Sequence, residues 1–206
     1  MNVEDFVDSN LPEPPCRVLE VGCGAGELAQ TIARRGYSIT AIDPEAPDGS
    51  IFRRTSLEDF DDPEPFDVVV ASRSLHHVHD LDAGLVKIHS LLRDSGLLIL
   101  NEFAWEHMDD RTATWYLSHV QEPSAQDESL LPESFPNAWF EGHEGLHDTA
   151  SIREALESLF RAKVDERVPF IAEYYLERPD LIHQERDLIR SDEIAPLGFR
   201  YVGIRV

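Results

Sequence analysis

The stretch RVLEVGCGAGELA, residues Arg17–Ala29, decides the fold of this 206-residue chain. RVLEV is apolar enough for a strand buried on both faces. It runs into three glycines at alternate positions, Gly22, Gly24 and Gly26. ELAQTIARRG follows, with Leu28, Ile32 and Ala33 on one helical face and Gly36 as a stop. Strand, glycine loop and helix in direct succession open a βαβ unit, and ligands of such units bind beyond the carboxyl ends of the strands.

Outward from this unit the alternation continues. SITAID (38–43) reads as a second strand and FDVVVAS (66–72) as another, its three successive valines suited to the interior of a parallel sheet. LDAGLVKIHSLLRDSG (81–96) reads as a helix and GLLILNEF (96–103) as the next strand. The expected fold is α/β, a doubly wound, mostly parallel seven-stranded sheet with right-handed crossovers. Helix, strand, connector and strand from DTASIREALESLF to GFRYVGIRV predict a terminal antiparallel hairpin. Only PEAPDGS separates Asp43 from Ile51, too short for a full crossover helix. The helix between strands two and three is therefore reduced and the third strand short. That leaves an exposed edge which a second copy of the chain would cover, a homodimer that solution scattering would test.

The whole of 1–206 reads as one domain, with 102–150 inserted as a lid over the substrate. A helix is expected near Asp109–His119, then an irregular segment over 123–145, PSAQDESLLPESFPNAWFEGHEG. Its aromatic residues argue against simple disorder.

Bulk properties narrow the partners. The formal net charge is −22 and only Lys87 and Lys163 are lysines. Nucleic acid and anionic membrane surfaces both select basic footprints, so neither is an expected partner. Cys16 and Cys23 form neither a disulfide framework nor a zinc pair and read as reduced thiols, MNVEDFVDSN lacks an apolar signal core, and no apolar run reaches membrane-spanning length. These features together read as cytoplasmic.

Two cofactor classes use such a glycine loop. A dinucleotide site favours G-x-G-x-x-G with pyrophosphate on the helix N-terminus. Here the spacing is G-x-G-x-G, and Glu27 sets a carboxylate where a pyrophosphate would sit. The ordered set VLEVGCGAGELA, ITAIDP, FDVVVASRSLHHVHD and LLRDSGLLILNEF resembles the motifs of the class I S-adenosylmethionine-dependent methyltransferases, over Arg17–Phe103. The resemblance implies S-adenosylmethionine as cofactor and S-adenosylhomocysteine as product. It implies Glu20 beneath the methionine ammonium, the backbone of Gly22, Cys23 and Gly24 against the ligand, and Asp43 on the ribose hydroxyls. Ser56 and Leu57 would flank the adenine, with Glu58 in place of the acid that relatives carry at the position of Ser56. Ala71 and Ser72 would approach the methionine portion.

The expected reaction is methyl transfer to a small organic acceptor at O, N or C. An alternative is a family member that binds the cofactor without transferring methyl. Base or orienting candidates are His76 and His77 after the fourth strand and His143 and His147 in the insertion, since histidine titrates near working pH. A hydrogen-bonded histidine organising the loop is an equally open role for the first pair. No metal is expected: HHVH lacks an acidic partner, and Gly145 interrupts GHEGLHD. Trp105, Trp115, Tyr116, Trp139 and Phe140 would form an apolar acceptor pocket or pack the insertion, and Arg73 would meet an acceptor carboxylate or a surface acid.

Overall fold

The structure is a computed structural model and describes residues 2–120 and 135–206. One seven-stranded sheet contains β1 (Arg17–Val21), β2 (Ser38–Asp43), β3 (Phe52–Arg54), β4 (Phe66–Ser72), β5 (Leu92–Phe103), β6 (Phe160–Val168) and β7 (Gly198–Arg205). Their order across the sheet is β3-β2-β1-β4-β5-β7-β6. The pairs β1–β2, β1–β4, β2–β3 and β4–β5 are parallel, and β6 and β7 form the antiparallel edge. The doubly wound sheet and terminal hairpin read from the sequence are both present.

The register follows from apolar matching. Val18 lies beside Ile39 on one flank and Val68 on the other, and all three are buried. Each such aliphatic side chain removed from water stabilises the fold by ~1.5–3 kcal/mol. Residues 44–51 between β2 and β3 contain turns and no helix, and β3 is three residues long.

The helices are α1 (Val3–Asn10), α2 (Glu27–Arg34), α3 (Leu81–Leu91), α4 (Asp110–His119), α5 (Phe135–Gly142), α6 (Thr149–Glu157), α7 (Ile171–Tyr174) and α8 (Ile182–Arg190). Three boundaries correct the sequence reading. The helix expected through Gly96 ends at Leu91, because Leu92 already pairs with Phe66 of β4 and sheet pairing takes the residues that follow. Part of the segment read as irregular is helix α5, while its residues 123–134 lie outside the described residues. The N-terminal segment, read only as lacking a signal core, forms α1, capped by Asn2 and anchored by buried Phe6 and Val7.

The chain packs as two compact units. The first comprises Met1–Glu102, Ala150–Glu166 and Arg200–Val206. Its core joins Val18, Ala41, Val70 and Ile99 of the sheet to Phe6 of α1 and Ile32 of α2. The second comprises Phe103–Thr149 and Arg167–Phe199, so two separate excursions of the chain build it. Phe103, Trp115, Trp139, Phe170 and Leu197 lie in its core, and the Phe103 ring stacks on Phe170 at 4.7 Å. Glu185 of α8 is fully buried there and accepts the N–H groups of Phe170, Ile171 and Ala172, which a four-residue helix cannot satisfy internally. Burial raises its pKa, and the three N–H donors oppose that rise.

Among the described residues no helix is long and apolar enough to cross a membrane, and no group of three His, Cys, Asp or Glu is placed to hold a metal ion.

Candidate functional site

The first unit contains a cavity of about 280 Å³ at the carboxyl ends of its parallel strands. Val21 and Gly22 enter it from the end of β1, and Asp43 and Pro44 from the end of β2. Thr55–Glu58 line it after β3, and Arg73, Ser74 and His77–His79 after β4. This is where an open α/β sheet places its ligand.

The glycine loop is shaped by contacts that exclude side chains. Gly22 has φ +74°, and a Cβ there would lie 2.4 Å from Cβ of Ser74. Gly26 caps α2 with φ +84°, and its Cβ would meet the Phe52 ring at 2.4 Å. Gly22→Ala is expected to cost about 3 kcal/mol, combining left-handed strain with overpacking. Chemical denaturation measures this, and a loss under about 0.5 kcal/mol would show that the loop tolerates a side chain.

Asp43 ties the loop to the sheet. Its Oδ2 accepts the Gly24 N–H at 3.0 Å and its Oδ1 accepts the Glu45 N–H at 2.8 Å. The carboxylate is thereby held at the cavity wall with lone pairs to spare, since an ionised carboxylate offers about four acceptor positions. These two bonds are turn chemistry, and one carboxylate can make them and still accept from a ligand.

Glu20 is 3% exposed, and its Oε2 is buried without a hydrogen-bond partner. Burial pushes its pKa up to about 8, the Ala29 N–H pulls it down, and the nearby Asp43 charge adds to the rise. A buried carboxylate oxygen lacking a donor is costly, and a cation beside it would remove that cost. The Cys23 thiol is also buried and raised to about 12, by burial first and then by the charges of Glu20 and Asp43. These features fit a ligand with vicinal hydroxyls at Asp43 and a cationic group near Glu20. Such a ligand is S-adenosylmethionine.

The residues expected after β4 divide into two groups. His77 lines the cavity with Arg73, whereas His76 is buried, 5% exposed. Nδ1 of His76 meets Oε2 of Glu102 at 2.6 Å, and Oε1 of Glu102 accepts the N–H groups of Ser74 and Leu75. Glu102 therefore clamps the single helical turn Leu75–His77 from the end of β5. Sequence reasoning missed Glu102, whose partners stand 26 to 28 residues away. Ser56 and Leu57 line the cavity; Ala71 is fully buried in β4, and Ser72, at its end, accepts from the Asn101 amide.

The remaining candidates belong to the second unit. Nδ1 of His143 faces the Trp139 carbonyl at 2.6 Å and therefore carries a proton, and Nε2 lies 2.9 Å from the Tyr175 hydroxyl. Trp105, Trp139 and Phe103 surround this imidazole, with the Trp105 ring parallel to it within 9°. The His147 carbonyl accepts from the Trp105 indole N–H. Trp115 and Trp139 are core residues, Tyr116 packs against them, and Phe140 is exposed.

Comparison with known proteins agrees with this geometry. The family described as "Methyltransferase domain" matches residues 2–162. A ubiquinone biosynthesis O-methyltransferase of Xanthomonas campestris pv. campestris (strain 8004) is 37% identical over 112 residues, 47% of this chain and 47% of the relative. Its counterpart in Rhodopseudomonas palustris (strain BisB5) is 31% identical over 97 residues, 41% of this chain and 38% of that protein. The matched segment spans less than half the length of these curated relatives. Among solved structures, an S-adenosylmethionine-dependent methyltransferase of Mesorhizobium loti superposes with a TM-score of 0.61 at 17% identity, covering 98% of this chain and 96% of that one. The 1,6-didemethyltoxoflavin-N1-methyltransferase of Burkholderia thailandensis, solved with S-adenosylhomocysteine, gives 0.59 at 19% identity, covering 98% and 75%. The chain belongs to the methyltransferase-domain family and carries the class I fold of the S-adenosylmethionine-dependent methyltransferases.

Proposed function

We propose that this chain transfers the methyl group of S-adenosylmethionine to a small organic acceptor. The observation that carries the reading is the cavity at the ends of β1 and β2, where Gly22 and Asp43 meet Ser56 and Leu57, together with the buried, unpartnered carboxylate oxygen of Glu20, one residue before the cavity-lining Val21. Asp43 would hold the ribose hydroxyls, Ser56, Leu57 and Glu58 the adenine side, and Glu20 the ammonium, with the backbone of Gly22, Cys23 and Gly24 alongside. When bound, the sulfonium supplies an activated methyl group. The protein's part is then alignment, which can contribute about 7–11 kcal/mol to a displacement of this kind.

His77 and His79, which line the cavity, are the histidines after β4 placed to take a proton, whereas His76 is engaged by Glu102. Trp105, His143 and Tyr175 of the second unit are half-buried aromatic and polar groups, which supports a partly aromatic or apolar acceptor. The similar proteins named above carry names for both O- and N-transfer, which supports either atom as acceptor. The acidity supports a small, non-nucleic-acid substrate.

The test is incubation with methyl-tritiated S-adenosylmethionine and a panel of phenols, amines and heteroaromatic acids. Label is expected in an acceptor, with S-adenosylhomocysteine formed in equal amount. Tight cofactor binding with no turnover across the panel would favour a module that binds without transferring methyl.

A further inference from the structure

Among the described residues no cation pairs with the Glu20 carboxyl. It stands on β1 one residue before Val21, which lines the cavity. Its Oε2 has no donor, and its side chain lies among buried apolar residues of a parallel sheet, with Ala41 of β2 and Val70 of β4 as its cross-strand neighbours. The groups that act on it electrically are the Asp43 carboxylate from the end of β2 and the Ala29 N–H from α2, and the Cys23 thiol of the loop senses its charge in turn. Of these only the N–H favours the charged form. A second anion nearby and the loss of water both favour the protonated form, and burial is the larger of the two.

Resting on the function proposed above, we propose that the cofactor's ammonium displaces a proton from Glu20 as it binds. The bound ligand replaces a neutral carboxylic acid by a carboxylate–ammonium pair. The O–H bond of Glu20 breaks, its proton passes to the buffer, and no other bond changes. Ligand affinity then depends on pH through this one group. Below about pH 8 the proton must be removed before the pair can form, and affinity falls by up to about tenfold per pH unit. Above that value the carboxylate is already charged, and the gain ends where the ligand's own ammonium begins to lose its proton. The same coupling selects ligands that bring an amine, because a thioether nucleoside without one leaves the proton in place.

The test is isothermal titration with S-adenosylhomocysteine at about pH 6.5, in phosphate and in Tris, whose ionisation enthalpies differ widely. The observed binding enthalpies should differ by close to one proton's worth of buffer ionisation. With 5′-methylthioadenosine, which lacks the amino acid, the two buffers should give the same enthalpy. Glu20→Gln should still bind S-adenosylhomocysteine, more weakly, with the buffer dependence gone. Equal enthalpies for S-adenosylhomocysteine in both buffers would overturn the proton coupling while leaving the function intact. Buffer dependence that persists in Glu20→Gln would overturn the assignment to Glu20. Absence of binding at millimolar ligand would overturn the cofactor reading itself, and the coupling with it. The two-buffer and pH measurements on the unaltered protein decide the matter even if the variant fails to fold.

Discussion

Asp43→Ala is expected to weaken binding of S-adenosylhomocysteine about a hundredfold, close to 3 kcal/mol. The size follows from what the carboxylate does at once. It accepts the Gly24 and Glu45 N–H groups and so holds the glycine loop at the cavity wall. In the proposed function it also accepts two ribose hydroxyls, and hydrogen bonds to a charged acceptor contribute about 1.5–3 kcal/mol each. Asp43→Asn retains one acceptor oxygen and should lose roughly tenfold. Titration calorimetry separates the cases. An affinity within about threefold of the unaltered protein for both variants would show that the ribose sits elsewhere.

Glu102→Ala is expected to produce the largest loss of stability, about 3–5 kcal/mol, because it strands the N–H groups of Ser74 and Leu75 and the imidazole of His76 in a buried place. Glu102→Gln is the informative control. Its oxygen keeps the two backbone donors, while its amide N–H₂ turns toward Nδ1 of His76, which must then accept. The proton of the imidazole moves to Nε2. Denaturation should show a loss near 1 kcal/mol for the glutamine variant, and nitrogen-15 spectra of the ring should report the exchange of tautomers. If alanine costs no more than glutamine, the clamp is not what holds the turn.

Much of the fold could be read locally. The valines of β4, the glycine spacing after β1 and the short link before β3 are signals carried by adjacent residues, and each placed its element correctly. One element missed, α5, reads FPNAWFEG, where a proline in the first turn resembles a break although helices tolerate it there. That Gly22, Asp43, Ser56 and Leu57 line one cavity was legible for the same reason, since each stands at or just past the end of a strand in the chain. Glu102, Tyr175 and Glu185 were not. Each acts on partners 13 or more residues away through hydrogen bonds that leave no periodic trace in the chain. The histidine pair shows the same limit. LHH reads as two equivalent candidates, and only the placement of Glu102 separates the anchored His76 from the cavity-lining His77.

The most direct test of the central claim is a crystal structure of the chain with S-adenosylhomocysteine. Ribose hydroxyls are expected at hydrogen-bond distance, ~3 Å, from Asp43, with the adenine beside Leu57 and the ammonium against Glu20. A ligand bound away from Asp43 and Glu20, or crystals that take up none at millimolar concentration, would contradict that claim.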